Sequence, residues 1–252
     1  MQDSGRWPER LWLVRHGQSA GNVARDAAHA SGQGRIDLHV RDADVPLSAL
    51  GETQAASLAA WFAGLDAADR PDVVLVSPYV RAQQTARAVV AVGGAVEPDT
   101  PVCVDERLRE REFGVLDRLT SAGIAEFFPD QAEARALLGK FYHRPPGGES
   151  WCDVILRLRS ALDTLSLHHR NRRVLIVAHQ VVVLCLRYLL EGLDEKALLE
   201  IDAAGDVANC GVTEYRLSPA GALALHHYNF VAPLDARGAP VTTEPDAPVA
   251  AR

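Results

Sequence analysis

No apolar stretch in this chain approaches the ~18 residues that a membrane-crossing helix needs, and Val181 to Leu190 is too short and too bounded to serve as one. Met1 to Arg10 is polar and has no apolar core of the kind a secretory signal carries. Cysteine is sparse: Cys103, Cys152, Cys185 and Cys210 are scattered, with none of the paired spacing of a metal site. Three of them sit in apolar patterns, so buried free thiols in a reducing cytoplasm are expected. A basic excess is also missing. Net charge is −7, from 26 Lys and Arg against 33 Asp and Glu, which argues against a nucleic-acid partner. A local cluster of arginines can still focus positive potential in a cleft. There is no Gly-x-x-x-x-Gly-Lys loop, and Gly32-Gln33-Gly34 lacks the strand-to-helix setting of a dinucleotide site.

What remains is a chain of 252 residues, 48% hydrophobic and 23% charged, ordinary for a soluble globular protein with a sizeable core. Short apolar runs alternate with helical patterns, which predicts an α/β architecture around a mostly parallel sheet. Strands are expected at Leu11–Val14, Val73–Val76, Val102–Val104 and Val174–Ala178, with a late hairpin through Gly211–Leu217 and Ala222–Leu225. Helices are expected from Ser48 through Trp61-Phe62 to Gly64, from near Tyr79, from Glu149 to about His168, and after His179. Residues 1–9 are expected to be mobile, 10–230 to form one domain, and 231–252 to be mobile or loosely packed.

The most informative stretch is Leu11-Trp12-Leu13-Val14-Arg15-His16-Gly17-Gln18-Ser19, with Asn22 three residues on. A buried strand ends abruptly in a cation, an imidazole and a glycine, whose lack of a Cβ permits a sharp turn. That places His16 at the carboxyl end of a strand, where open α/β sheets bind their ligands. A guanidinium that grips oxygens beside an imidazole that attacks phosphorus suits phosphoryl chemistry. Further segments repeat the theme: Ser77-Pro78-Tyr79-Val80-Arg81-Ala82-Gln83-Gln84-Thr85-Ala86, then Leu108-Arg109-Glu110-Arg111-Glu112-Phe113-Gly114, then Val174 to His179.

With these segments in this order, and with Pro46–Ala55 and Pro146-Gly147-Gly148-Glu149-Ser150 beside them, the chain resembles the histidine phosphatase superfamily from about residue 10 to 217. The resemblance implies a three-layer sandwich with a mostly parallel central sheet flanked by helices, as in phosphoglycerate mutases. It also implies phosphomonoester hydrolysis through a phosphohistidine on His16, with no metal and no other cofactor. Arg15 and Arg81 are then the phosphate clamp, His179 a donor to the phosphoryl group, and Glu110 the acid for the leaving alkoxide and later the base for water. Asn22 is a further phosphate donor or a structural residue. Glu106 and Glu112 lie close by, and only the Leu-x-Glu-x-x-Phe-Gly register selects Glu110. Gln180 stands where glycine often follows the second histidine and is expected to bind substrate or merely fill space.

Lys140–Arg144 either roofs the pocket and chooses the substrate or is a surface loop anchored by Phe141. The adjacent pairs His168-His169 and His226-His227 are not expected to hold metal, because neighbouring side chains project differently on a helix or strand. Cys103 and Arg109 satisfy a Cys-x5-Arg spacing, but the residues between lack glycine and bring carboxylates where phosphate needs backbone amides. The expected partner is a small phosphorylated substrate, with no nucleic acid and no membrane; a homo-oligomer is allowed by the pattern. The alternatives are a phosphoglycerate-type mutase and, in a different class, a non-catalytic phosphate-binding module.

Overall fold

A computed structural model describes residues 6–95 and 100–243. Among these residues six strands form one sheet, in the order β3-β2-β4-β1-β5-β6. They are β1 (Arg10–Arg15), β2 (Val73–Val76), β3 (Val102–Val104), β4 (Arg173–Ala178), β5 (Val212–Leu217) and β6 (Leu223–Phe230). β1 runs parallel to β4, β4 to β2 and β2 to β3, while β5 turns antiparallel against β1 and forms a hairpin with β6.

β1 reads as a continuous apolar run because both of its faces are covered. Leu11 and Leu13 enter one core with α6 (Trp151–His168) and α7 (Gln180–Glu191). Trp12 and Val14 enter a second core with α2 (Ala49–Ala63) and α3 (Val80–Ala91), where Trp12 meets Phe62 edge-on at 5.6 Å. The expected helix limits agree with their caps: the Ser48 hydroxyl accepts from the Gly51 amide to start α2, and Ser150 and Asp153 form a capping box at α6. The register pairs Arg15 with Ala178. His16 and His179 therefore leave two adjacent parallel strands at the same level.

Several expectations fail for packing reasons. Residues 1–5 lie outside the described residues, but 7–9 are tied down rather than mobile: Glu9 bridges the Arg172 carbonyl and the Leu217 amide, and Trp7 packs on the first core. The stretch from Val231, expected to pack loosely, forms α9 (Ala232–Asp235) and buries Leu234 in the second core. Beyond it the Gln54 amide donates to the Pro240 carbonyl, and Asn209 to that of Thr242; residues 244–252 lie outside the described residues. Cys103 is exposed on edge strand β3 and Cys152 half-buried, so only Cys185 and Cys210 are the buried thiols expected.

The segment before Pro146 is helical: α4 (Ser121–Phe127), capped by Thr120, and α5 (Pro129–Tyr142). Gly139 inside α5 has φ 76°, a left-handed residue that bends the chain and breaks the helical period. The bend lets Phe141 bury against Trp151 and Tyr188 while Lys140 pairs with Asp202. Two further helices are α1 (Ala20–Ala30) and α8 (Glu195–Ala204).

Candidate active site

His16 follows β1 and is buried. Its Nδ1 lies 2.7 Å from the Gly17 carbonyl oxygen. A carbonyl only accepts, so Nδ1 carries the proton and Nε2 presents its lone pair. Arg81 Nε donates to that Nε2 at 3.2 Å, which agrees with the same tautomer. Burial, then the positive charges of Arg81 and Arg15, hold the imidazole well below its ordinary value, although the Gly17 carbonyl opposes them.

Gly17 itself corrects the expectation of a special turn. Its backbone is not left-handed; glycine is needed because a Cβ there would lie 2.6 Å from the Gly51 carbonyl oxygen. A Cβ on Gly51 would lie 1.9 Å from the Gln18 carbonyl oxygen. The mutual approach presses the first turn of α2 against the His16 loop, and the Gly17 amide is held from α3 by Thr85 Oγ1 at 3.1 Å.

His179 follows β4, fully buried, with its ring 5.1 Å from that of His16. Its Nε2 meets Ser77 Oγ at 2.7 Å, and that hydroxyl accepts from the Tyr79 amide at 3.2 Å. With the Ser77 hydroxyl donating to Nε2, the imidazole proton sits on Nδ1. Nδ1 is buried with no hydrogen-bond partner among the described residues and lies 3.7 Å from Glu110 Oε2. Burial, then Arg81, His16 and the two more distant cations Arg15 and Arg157, hold this ring well below its ordinary value too.

Glu110 lines the cavity, while its Oε1 accepts from the Arg111 amide at 2.8 Å. The neighbouring carboxylates are placed elsewhere: Glu106 is exposed on a short turn, and Glu112 accepts from the Tyr79 hydroxyl at 3.1 Å. The loop is braced from α6. Arg157 donates to the carbonyls of Arg107 and Glu110, and Glu149 accepts from Arg157, Arg109 and the Glu112 amide. Burial alone would raise the Glu149 carboxyl, but the Arg157 hydrogen bond and the surrounding cations outweigh it and lower it.

The cavity has a volume of about 240 Å³ and is walled by His16, Asn22, Arg81, Glu110 and Gln180 on one side. Lys140 and His143 line it from the end of α5, so that segment is both anchored by Phe141 and part of the pocket. Arg15 and His179 lie beneath rather than on this wall, and the Arg15 Nη1 donates to the Val207 carbonyl at 2.5 Å. Asn22 completes a capping box at α1, its Oδ1 accepting from the Ser19 amide and hydroxyl. The Gln180 Nε2 donates to Asp206 at 2.6 Å, and its Oε1 is buried without a partner among the described residues. Cys103, on the edge strand, does not line the cavity.

Sequence reasoning gave no role to Ser77, Asp42, Glu149 or Arg157. Ser77 and Glu149 stood inside quoted segments, but their partners lie far along the chain. The histidine pair also behaves unexpectedly. In the β5–β6 hairpin Glu214 pairs with His227 and Tyr215 with Leu225, so His226 is the extra residue of a bulge. Ligand atoms of Glu214, His226 and His227 consequently fall within 4.8 Å of one another. Arg10 and Arg216 both bond Glu214 Oε1, at 2.7 and 2.6 Å, and already offset the charge a cation would need.

A pH prediction follows from the two depressed imidazoles. An unfolded chain protonates them near pH 6.5, whereas the folded chain keeps them neutral well below that. The unfolded state then binds more protons, so stability falls with decreasing pH by up to about 1.4 kcal/mol per unit for each ring. Ring NMR signals of His16 and His179 should stay unmoved through the range where a free imidazole titrates, about pH 6.5. Movement of either signal with an ordinary midpoint contradicts the depression by burial and the arginines.

Residues 11–230 match the family described as the histidine phosphatase superfamily (branch 1). The chain is 33% identical over 180 residues to a 6-phosphofructo-2-kinase/fructose-2,6-bisphosphatase of Caenorhabditis elegans. That alignment covers 71% of this chain and 33% of the relative, so this chain corresponds to about a third of that protein. It is 30% identical over 199 residues to a 2,3-bisphosphoglycerate-dependent phosphoglycerate mutase of Methylobacterium sp. (strain 4-46), covering 75% of this chain and 83% of the relative. Among solved structures, a mycobacterial glucosyl-3-phosphoglycerate phosphatase in complex with VO3 superposes with a TM-score of 0.67 at 27% identity, covering 88% of this chain and 99% of that one. No helix among the described residues is long and apolar enough to cross a membrane.

Proposed function

The chain belongs to the histidine phosphatase superfamily, and from that premise we propose that it hydrolyses a small phosphomonoester, without metal, through a phosphohistidine on His16. The observation that carries this reading is the Nδ1 contact to the Gly17 carbonyl, which leaves Nε2 as a neutral lone pair against Arg81. Nε2 attacks phosphorus, forming the N–P bond as the ester P–O bond breaks. Glu110, protonated, gives its proton to the departing alkoxide. Its carboxylate then takes a proton from the water that attacks the phosphohistidine, returning phosphate and free His16. Arg81 and Arg15 offset the charge on the phosphoryl oxygens, and His179 donates from Nδ1.

Asn22 and Gln180 are assigned to substrate. The fixed Asn22 Oδ1 leaves the amide nitrogen for a phosphate oxygen, and the unpartnered Gln180 Oε1 suits a substrate hydroxyl. Water is preferred over a second substrate as acceptor because the chain between Gly114 and Pro146 is short and folds onto the cavity as α4 and α5. The relatives' names span both outcomes, a bisphosphatase and a mutase.

A panel of small phosphomonoesters, assayed with and without chelator, tests the reading. At least one ester should be hydrolysed at a rate the chelator leaves unchanged, since the arginines already supply the charge a metal would bring. Inertness toward the whole panel, or activity restored to chelated protein by one divalent ion alone, contradicts it.

A further inference from the structure

Between α1 and α2 a short helical turn, Asp42–Asp44, brings the Asp42 carboxylate onto Arg81. Arg81 Nη1 donates to Asp42 Oδ1 at 3.0 Å and to its backbone oxygen at 2.6 Å, and Nη2 donates to Oδ2 at 3.2 Å. The carboxylate thus spans the guanidinium fork as two oxygens of a phosphoryl group do. Asp42 lines the same cavity as His16.

The two partners differ in freedom. The Arg81 side chain is 6% exposed, held by His16 Nε2 and stacked at 4.8 Å over Tyr79, whereas that of Asp42 is 40% exposed. When an oxyanion arrives, the carboxylate is the group that can turn out to water. Two like charges on one fork repel, so a ligand gains on Arg81 only what exceeds the lost Asp42 pair.

We propose that Asp42 is a competing carboxylate: it occupies the phosphoryl position on Arg81 in the free protein and must be displaced before a phosphoryl group binds there. The proposal rests on Arg81 binding the phosphoryl group, as in the function proposed above. Inorganic phosphate exchanges one anion for another on the fork and gains little else. An ester offsets the same exchange through contacts of its organic part with the rest of the cavity wall.

The test is calorimetric binding of inorganic phosphate to the full-length wild type and to Asp42→Ala and Asp42→Asn, beside KM for an ester that turns over. Asp44→Asn is the charge control, because Asp44 pairs with Arg41 at 2.8 Å and does not touch Arg81. If the pair closes the fork in about nine molecules of ten, Asp42→Ala should bind phosphate about tenfold more tightly. Asp42→Asn should shift the same way, Asp44→Asn should match wild type, and phosphate Kd and ester KM should fall together in both Asp42 variants. Unchanged or weaker phosphate binding in both Asp42 variants overturns the proposal and leaves Asp42 as a residue that merely orients Arg81. So does an equal gain in Asp44→Asn, which makes the effect one of net charge. Protein that hydrolyses no ester and binds no phosphate in any form overturns the functional reading as well.

Discussion

His16→Ala is expected to bring hydrolysis to background, a loss on the order of 10⁴-fold or more for removing an attacking group. Of the histidines lining the cavity, His16 is the one whose Nε2 accepts from Arg81. His179, the nearest imidazole, is fully buried beneath the wall and turns its Nε2 toward Ser77. The fold should survive, since His16 contributes a contact to its own neighbour's carbonyl and one to Arg81 but sits in neither apolar core. Turnover and a thermal melt, measured together, separate the two effects. Substantial hydrolysis by a cooperatively melting His16→Ala sinks the mechanism.

Glu110→Gln has the second-largest expected effect, and it depends on the leaving group. Glutamine keeps the shape and an oxygen for the Arg111 amide, but it cannot give a proton to an alkoxide. Alkyl phosphates should slow about 100-fold or more, the usual range for losing general acid catalysis. An aryl phosphate, whose leaving group departs without full protonation, should suffer less in the first step. The second step needs the carboxylate as base, so phosphoenzyme should accumulate with the aryl ester. Equal losses on both ester types, or none, move the acid to another group; Glu106 and Glu112 are the residues to test next, although neither lines the cavity.

The elements that place the site were readable because their signals are local. β1 and β4 are apolar runs covered on both faces, and each is followed by a histidine. Glu110 was selected from its register alone, and the structure lines the cavity with Glu110 but with neither Glu106 nor Glu112. What escaped depends on contacts distant in sequence. Ser77 fixes a histidine 102 residues away. Glu149 gathers two arginines and an amide from three segments. Asp42, in an Arg-Asp-Ala-Asp run, has the composition of a solvated turn, and only the tertiary structure brings it to Arg81.

Other misreadings were of physical cause. Gly17 was assigned to a turn, whereas the close backbone of Gly51 is what requires it. No helix was expected over Pro129–Tyr142, whose helical period is broken at Gly139. The C-terminal stretch, poor in pattern, is held through the small buried group Pro233, Leu234 and Ala239 and a few backbone partners. Adjacent histidines on a regular strand diverge, but a bulge at His226 turns that pair toward one glutamate.

The central claim is that His16 carries the phosphoryl group and that water removes it. Rapid acid-free quenching of a single turnover with phosphorus-labelled ester tests both halves at once. The wild type should show an acid-labile, base-stable phosphoenzyme that forms and then decays in buffer alone, with no label retained by His16→Ala. Label on His16→Ala, no labelled protein at any time in an enzyme that turns over, or a wild-type phosphoenzyme that persists until a phosphoryl acceptor is added would contradict it.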